Sequence, residues 1–314
     1  MKKMAFAAAT IVAAGFIASP ASSATFRTAV SVSGVDTNPC TPVAPCRTIS
    51  YALTQTSPGG EMFILSSGGY GAFTVTQAVT ITAPSGIIAA VSAPSGNAIT
   101  VNAGPSDLVI LNGFLLDGLA GSGTNGVQVT SAGSVSVGDS SITGFSGQGI
   151  NFVPNVGTGS STLIVSNTTI FSNTAGSVMF APIGGTAGQN VGRAFFRATG
   201  FVNSPAVFDA TNAVGPLSAQ IHDSRIRNNP GNGIVAIAPN QSVPVQIQID
   251  NSNIYSVSNA FTTSGPGATI SLGSSSLTKV TTVVTTSGGS VLSYGNNEMN
   301  FYQTLGPLGS RALQ

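Results

Sequence analysis

The chain has 314 residues, of which only 6% are charged, and it contains 39 glycines, one histidine and no tryptophan. This composition is too apolar for a disordered chain and too poor in Lys, Glu and Arg for a helical one. Ser, Thr, Val, Ile, Gly and Asn dominate and favour strands and tight turns, and a chain of this length can bury a core.

The first 24 residues have the layout of a secretory signal peptide. Two lysines precede an apolar run from about Met4 to Ala18, and small residues mark a cleavage point after Ala24. The apolar run is shorter than the ~20 residues that span a bilayer. We therefore predict a secreted protein, extracellular or periplasmic, with no membrane insertion after cleavage.

Cleavage at this point leaves a nearly neutral chain. Lys2 and Lys3 are two of the ten basic residues, so eight remain against nine acidic residues. A chain with this balance lacks the basic surface that binds phosphate backbones or anionic membranes. The sequence thus predicts no nucleic-acid partner.

The only two cysteines, Cys40 and Cys46, stand in the stretch NPCTPVAPC, with five residues between them. In an exported protein this spacing is typical of a short-loop disulfide. A metal site built on two thiols would need supporting histidines, which the stretch lacks. We expect a disulfide that staples a terminal loop.

Seven segments repeat one pattern in the middle of the chain. Each has apolar residues at alternate positions, then a position that we call the slot, and another apolar residue three positions later. The slot residues are Asn112, Asp139, Asn167, Ala198, Asp223, Asn251 and Ser274. Their spacings of 27, 28, 31, 25, 28 and 23 residues indicate a solenoid, in which each repeat buries its apolar face against its neighbours.

The unit inside each repeat is a strand. Apolar residues alternate, as in Val135 and Val137 or Ile247 and Ile249, which is the two-residue period of β-structure. A repeat of this length holds two or three strands of about 4 to 5 residues. A chain that winds this way stacks parallel strands ~4.8 Å apart. The pattern predicts a parallel β-helix.

The polar slots have a structural interpretation in such a coil. Asn or Asp at an inward corner can hydrogen-bond its own turn and the side chains in the coils above and below. We therefore predict an inward-facing structural ladder and not a catalytic set. Its members are Asn112, Asp139, Asn167, Asp223 and Asn251.

The repeat and the segment before it resemble the right-handed parallel β-helix, or pectin lyase-like, superfamily. SGVDTNPCTPVAPCRTISYALTQTSPGGEMFILSSGGYG looks like the N-terminal cap of secreted members, with a loop, a helix from Ile49 to Thr56 and a Pro-Gly turn. The resemblance implies an all-β fold, a single right-handed solenoid whose short N-terminal helix caps the open core. More narrowly, the chain is similar to small exported bacterial β-helix repeat proteins without an established activity.

The expected organisation follows from these segments. Residues 1–24 form the signal peptide, residues 25–60 the N-terminal cap with the disulfide loop and helix, and residues 61–298 the parallel β-helix. Residues 299–314 break the repeat, and we expect them to form a C-terminal tail or cap that covers the last coil.

The catalytic patterns of the superfamily are incomplete in this chain. The resemblance to polygalacturonases implies Asn-Thr-Asp, Asp-Asp, Gly-His-Gly and Arg-Ile-Lys stretches. Here NTT stands at 167, no Asp-Asp pair occurs, and His222 lies in IHD. Pectate lyases gather acidic residues around calcium, whereas the nine acidic residues here are scattered. We predict no cofactor and no metal.

One charged cluster remains as a candidate site. It comprises Arg193, Arg197, His222, Arg225, Arg227 and Asp250. The residue before each slot should point outward, so Asp250 in the next coil could orient or charge His222. In one interpretation Arg193 and Arg197 bind an acidic sugar, and His222, Arg225, Arg227 and Asp250 are catalytic. In the other, the cluster is a charge ladder on an exposed sheet.

These observations favour an exported β-helix repeat protein with a non-catalytic, structural or carbohydrate- or surface-binding role. Its partners would be polysaccharide or cell-surface components. The alternative is a divergent polysaccharide lyase or glycoside hydrolase that acts on an acidic polysaccharide. The sequence does not set the oligomeric state.

Overall fold

The computed structural model describes residues 24–312 and, at Phe301, the backbone only. The predicted signal peptide lies outside the described residues, apart from Ala24. Between residues 24 and 312 there is no helix with the length and apolarity needed to cross a membrane.

This part of the chain contains one short helix and 29 strands. In chain order they are β1 (Thr25–Val30), α1 (Ile49–Gln55), β2 (Thr56–Ile64), β3 (Gly68–Gly69), β4 (Phe73–Val75), β5 (Val79–Thr82), β6 (Ala89–Ser92), β7 (Ile99–Asn102), β8 (Leu108–Asn112), β9 (Phe114–Asp117), β10 (Val127–Ser131), β11 (Ser134–Gly138), β12 (Ser141–Thr143), β13 (Gln148–Phe152), β14 (Ser161–Ser166), β15 (Thr169–Phe171), β16 (Gly176–Phe180), β17 (Gly192–Arg197), β18 (Gly200–Val202), β19 (Ala206–Asp209), β20 (Leu217–His222), β21 (Arg225–Arg227), β22 (Asn232–Ile237), β23 (Val245–Asp250), β24 (Asn253–Ser264), β25 (Ala268–Gly273), β26 (Ser276–Ser287), β27 (Ser290–Ser293), β28 (Glu298–Thr304) and β29 (Leu308–Ser310).

The strands stack in parallel on three faces around one core. Face 1 consists of β1, β2, β5, β8, β11, β14, β17, β20, β23, β25, β27 and β29. Face 2 begins with β3, β6, β9, β12, β15, β18 and β21, and face 3 with β4, β7, β10, β13, β16, β19 and β22. The long strands β24, β26 and β28 run from face 2 into face 3. The predicted all-β parallel solenoid is confirmed.

Burial alternates along each strand, as the two-residue period predicts. On β17, Ala194 and Phe196 are buried, whereas Arg193, Phe195 and Arg197 are exposed. Because the register is kept from coil to coil, the inward side chains form columns along the axis, and these columns are the hydrophobic core.

Three phenylalanines show how such a column packs. Phe152, Phe180 and Phe208 occupy the same place in successive coils of face 3. Their ring centroids are 5.1 Å and 5.9 Å apart. This spacing suits aromatic pairs and follows the distance between strands.

The disulfide loop covers the outer edge of β1. Cys40 and Cys46 are bonded, as predicted. The Ala29 amide donates to the Cys40 carbonyl (2.7 Å), and the Cys46 amide donates to the Ala29 carbonyl (3.0 Å). The loop therefore satisfies backbone groups that an open edge strand would leave unpaired.

Helix α1 follows this loop and ends at Gln55. The Thr48 hydroxyl accepts from the Tyr51 amide (3.2 Å), the usual N-cap arrangement. Asp36 accepts from the Thr48 amide and hydroxyl at 2.9 and 2.8 Å, and from the Arg47 amide at 2.8 Å. Burial opposes ionisation, but these donors outweigh it and lower the pKa of Asp36.

The C-terminal residues differ from the expectation of a covering tail. Strand β28 pairs in parallel with β26, and β29 pairs in parallel with β27. These residues therefore continue the coil, because their backbone groups find the same kind of partner as in every earlier coil.

Candidate functional site

The chain turns from face 1 to face 2 through a residue with left-handed backbone angles. The φ values are 50° at Asp139, 47° at Asn167, 50° at Ala198, 53° at Asp223, 47° at Asn251 and 46° at Ser274. Asn and Asp tolerate this conformation better than other residues with a side chain, apart from glycine. The corner geometry explains why most of the slots are Asn or Asp.

The slot side chains point outward, so the predicted inward orientation is wrong. Asp139, Asn167 and Asn251 are exposed and Asp223 is half-buried. A left-handed residue interrupts the alternation of the strand, so the slot and the residue before it both lie on the outer side of the coil. The next residue then faces the core.

That next residue forms the inward ladder that the slots were expected to form. Its members are Ser140, Thr168, Thr199, Ser224, Ser252 and Ser275, all of them buried. The Ser224 hydroxyl, for example, donates to the His222 carbonyl (2.8 Å) and accepts from the Thr199 amide one coil earlier (3.2 Å). We call these six residues the inward column.

Asn112 lies one residue before the corner. It is in register with Gly138, so the residue at the turn in its coil is Gly113, with φ of 81°. A Cβ on Gly138 would collide with the Oδ1 of Asn112, which lies over it. The sequence alignment of this first repeat was shifted by one position, because Asn and Gly both suit the turn.

The outward column consists of the slots Asp139, Asn167, Ala198, Asp223, Asn251 and Ser274. Two of its neighbouring pairs are hydrogen-bonded: Asn167 Nδ2 donates to Asp139 Oδ1 (2.6 Å), and Asn251 Nδ2 donates to Asp223 Oδ1 (2.5 Å). Ala198 has no polar group and separates the two pairs.

The corner is concave on its outer side. Three hollows of about 580, 280 and 460 Å³ follow one another along it. The first two share Asn167, and the last two share Asp223 and Arg225. They form one continuous groove, which we call the corner trough. From Gly113 to Ser274 it passes seven coils, roughly 29 Å at the strand spacing.

One wall of the corner trough is the first outward row of face 2. In register from coil to coil this row is Leu115, Ser141, Thr169, Gly200, Arg225, Asn253, Ser276 and Glu298. The wall is therefore apolar at Leu115 and hydroxyl-bearing in the next two coils, and farther along it carries charges at Arg225 and Glu298.

Longer loops bound the corner trough at both ends. The central corners have one or two residues between strands, whereas residues 83–88 connect β5 to β6 and residues 294–297 connect β27 to β28. The first loop lines the largest hollow, and Asn296 of the second lines the last one.

His222 has a different carboxylate partner from the one that the sequence predicted. Arg197, His222 and Asp250 are in register on successive coils, as expected. However, Asp250 accepts from Gln248 Nε2 (2.7 Å). His222 Nδ1 lies 2.8 Å from Asp223 Oδ2, and Arg197 Nε lies 3.5 Å from the same oxygen.

Asp223 is consequently the best-bonded carboxylate of the corner trough. The hydrogen bond from the Asn251 amide is the main cause that holds the pKa of Asp223 below its usual value. Desolvation raises this pKa, whereas the hydrogen bond from His222 and the charges of His222 and Arg197 lower it further. The sequence indicated only a ladder residue here. No sequence signal revealed the His222–Asp223 pair, because the outward orientation of these two adjacent residues depends on the left-handed backbone angle of Asp223.

The arginines of the predicted cluster lie in separate places. Arg225 and Arg227 point outward from β21 and line the middle hollow of the trough. Arg197 lies at the rim, where its strand meets the corner. Arg193 is four residues earlier on β17, about 13 Å away along the strand. The structure thus brings together Arg197, His222, Asp223 and the two arginines of β21, but not Arg193.

Neither the apolar part of the trough nor its end loops were singled out from the sequence. No group of three or more His, Cys, Asp or Glu side chains within residues 24–312 is arranged to hold a metal ion. The polar residues that sequence reasoning missed are mostly Ser and Asn, which are too common in this chain to stand out.

Comparison with known proteins gives similarity of fold. No protein-family model matches the chain, and no curated protein matches it. A pectate lyase, Pel9A, superposes with a TM-score of 0.51 at 13% identity and covers 88% of this chain and 79% of its own. A GH136 lacto-N-biosidase from Eubacterium ramulus gives 0.48 at 10% identity, covering 91% of this chain and 68% of its own.

A third similar structure is the A-module of the mannuronan C-5 epimerase AlgE4 from Azotobacter vinelandii, with a TM-score of 0.40 at 10% identity. It covers 84% of this chain and 93% of its own. At these identities the comparison establishes the fold alone. The chain has a parallel β-helix fold, and Pel9A is similar to it in fold.

Proposed function

We propose that this protein is an exported polysaccharide-binding protein that holds a linear glycan along the corner trough without catalysis. The observation that carries this proposal is the continuity of the trough over seven coils. A groove that follows the coil axis fits an extended polymer better than a compact small molecule. Its hydroxyl, amide, carboxylate and guanidinium groups are those that hydrogen-bond sugars.

The two arginines of β21 define the charge of the ligand. Arg225 and Arg227 are exposed, lie in the middle hollow and have no carboxylate partner among the described ion pairs. Guanidinium groups form strong paired hydrogen bonds with carboxylate or sulfate oxygens. We therefore propose a glycan that carries acidic groups.

The carboxylates that line the three hollows of the trough are too far apart for the usual glycosidase pair. Asp139, Asp223 and Glu298 line it at intervals of three coils, or roughly 14 Å at the strand spacing. Glycoside hydrolases generally hold their two carboxyl groups about 5 to 9.5 Å apart. This spacing supports binding over hydrolysis by such a pair.

The test is binding of the purified mature protein to a panel of neutral and acidic glycans. We expect an acidic glycan to bind, and Arg225→Gln with Arg227→Gln to weaken it about tenfold or more, since each charged hydrogen bond is worth about 1.5–3 kcal/mol. Arg193→Gln is the matched control, because Arg193 lies outside the trough. Absence of binding to every glycan would overturn the proposal, as would an equal loss in the control.

One observation favours a second function, polysaccharide lyase activity. Because His222 Nδ1 is held by Asp223, its Nε2 is free to act as a base. It would take the proton from the carbon next to the carboxylate of a uronic acid. The electron pair of that C–H bond would form a double bond to the neighbouring carbon as the bond from this carbon to the glycosidic oxygen breaks, and the leaving oxygen would take a proton from water. Arg197 beside the pair would stabilise the charged carboxylate.

Lyase activity has a direct readout in the ultraviolet absorbance of the unsaturated product. If it exists, His222→Ala should abolish it while binding to the same glycan persists, and Asp223→Asn should lower it by disturbing the imidazole tautomer. If the ultraviolet absorbance does not rise above that of buffer with any acidic glycan that the protein binds, the lyase hypothesis fails and binding alone is the function.

The proposal also includes features of the whole molecule. We propose that residues 1–24 direct export, that the coil is right-handed, and that α1 caps its N-terminal end. The burial of Ile49, Ala52 and Leu53 supports a capping helix, and the disulfide supports an oxidising compartment. N-terminal sequencing of the exported protein tests the cleavage after Ala24.

A further inference from the structure

The largest hollow of the corner trough lies at its N-terminal end and differs in chemistry from the rest. We call it the end pocket. It is lined by the loop at residues 83–88, by Gly113, Phe114 and Leu115, and by Asp139, Ser140, Ser141 and Asn167. Its volume is about 580 Å³, and it spans three strand spacings from the loop to Asn167.

A fixed turn closes this end of the trough. The corner here has six residues, and it folds back through a hydrogen bond from the Ile87 amide to the Pro84 carbonyl (2.9 Å). Gly86 takes φ of 90°, and Pro84 restricts its own φ. Every corner of the next seven coils is shorter. A chain lying in the trough therefore meets a wall here.

Two exposed apolar side chains form one side of the end pocket. Ile88 is 55% exposed and Leu115 is 37% exposed. The other hollows of the trough offer mainly Ser, Asn and charged residues. An apolar patch inside an otherwise polar groove favours a ligand group with C–H or methyl surface at this place.

The opposite side of the end pocket offers hydrogen-bond acceptors without positive charge. Asp139 Oδ1 accepts a hydrogen bond from Asn167 Nδ2 (2.6 Å). This leaves Asp139 Oδ2 and the side-chain Oδ1 of Asn167 as acceptors for a ligand. No Arg, Lys or His lines this pocket. A carboxylate that lacks a cation beside it repels acidic sugars and accepts from hydroxyl groups.

We infer that the end pocket recognises the terminal unit of the glycan, and that this unit is a neutral sugar with an apolar side, such as a 6-deoxyhexose. This inference rests on the proposed function. Arg225 lies three coils beyond Asp139, roughly 14 Å at the strand spacing. The ligand is thus an acidic glycan with a neutral 6-deoxy sugar at one end. Its first acidic unit held by Arg225 lies about as far from that end sugar as Arg225 lies from Asp139.

The experiment uses uronic acid oligosaccharides of equal length in three forms. The uncapped form has no 6-deoxyhexose, the end-capped form has one at the reducing or at the non-reducing end (two compounds), and the interior form has one inside the chain. Binding to the mature protein is measured by calorimetry. We expect an end-capped form to bind about tenfold more tightly than the others, the gain that one apolar group brings in a matching pocket.

The variants separate the end pocket from the rest of the trough. Ile88→Ser with Leu115→Ser should weaken binding of the end-capped form about tenfold, so that this form no longer binds more tightly than the uncapped one. Arg225→Gln with Arg227→Gln should weaken both forms equally. Ile164→Ser is the matched control, because Ile164 is 37% exposed on face 1 outside the trough. All four altered residues of the two double variants are on the surface, and circular dichroism checks their fold.

The outcomes distinguish this inference from the proposed function. Equal affinity of the wild-type protein for capped and uncapped forms would overturn the end pocket and leave glycan binding in place. Tight binding of the interior form would overturn recognition of a chain end. Failure of every form and every other acidic glycan to bind would overturn both proposals.

Discussion

The corner between face 1 and face 2 carries two columns of polar side chains that are adjacent in the sequence. Ser224 of the inward column is 2% exposed, and its hydroxyl both donates and accepts inside the coil. Asn251 of the outward column is exposed and makes one side-chain hydrogen bond, to Asp223. A buried group that loses its partner costs more than an exposed one. The inward column therefore stabilises the coil, and the outward column is free to meet a ligand.

The largest effect is expected from removing one hydroxyl of the inward column. In Ser224→Ala the Thr199 amide loses its acceptor in a buried place, so unfolding should become easier by about 1–3 kcal/mol. The measurement is the midpoint of urea unfolding, followed by circular dichroism.

Ser136→Ala is the matched control for this variant. Ser136 is an outward serine on face 1 with no side-chain hydrogen bond, so its loss should change stability by less than about 0.5 kcal/mol. If the two variants shifted the midpoint equally, the distinction between inward and outward hydroxyls would be lost.

The coil itself could be predicted from the sequence, because both of its signals are local. Alternating apolar residues such as Val135 and Val137 report a strand, and their recurrence at nearly constant spacing reports stacking. The cysteine spacing that predicts the disulfide also depends only on neighbouring residues. The pairing of β28 and β29 leaves no such signal, since it runs through backbone groups that tolerate an irregular side-chain pattern.

The direction of the slot residues could not be predicted, because it depends on one backbone angle. Asp139 and Ser140 are both small and polar, and the strand period alone places the wrong one inside. The corner trough is similarly hidden. Its concavity arises from the angle between two faces, and its end pocket depends on a loop whose length has no counterpart in the repeat.

Ala198 gives the next largest effect, in the opposite direction. It is the outward residue that has left-handed angles and a side chain without any polar group. Ala198→Asn should stabilise the protein by up to about 1 kcal/mol, because Asn tolerates this conformation better. The new amide also lies between Asn167 and Asp223 and can join the two halves of the column.

Ala198→Val provides the opposing variant at the same position. A β-branched side chain is poorly tolerated at positive φ, so this change should lower the unfolding midpoint. A gain from both substitutions would show that added side-chain surface, and not the backbone angle, determines stability at the corner.

A smaller effect is expected when the outward amide alone is removed. Asn251→Gly keeps a residue that accepts φ of 47° and deletes only the bond to Asp223. We expect the free energy of unfolding to change by less than about 0.5 kcal/mol at neutral pH. A loss as large as that of Ser224→Ala would place the outward column among the groups that hold the coil.

The smallest effect at neutral pH, and the most specific, concerns the charge of Asp223. Its pKa is lowered in the folded protein from the ordinary 3.8 by Asn251, His222 and Arg197. A carboxylate of this kind adds stability above its unfolded pKa and loses that stability as the pH falls through its lower folded value. Urea midpoints of the wild-type protein and of Asp223→Asn should therefore differ by a constant amount above about pH 5 and converge in more acidic solution. Asn251→Gly should show part of the same convergence, because it removes the largest cause of the shift. The contrary outcome is a difference between wild type and Asp223→Asn that stays constant down to about pH 2. The folded protein would then not favour the charged form of Asp223, and the residues of the outward column would be there for their backbone angles alone.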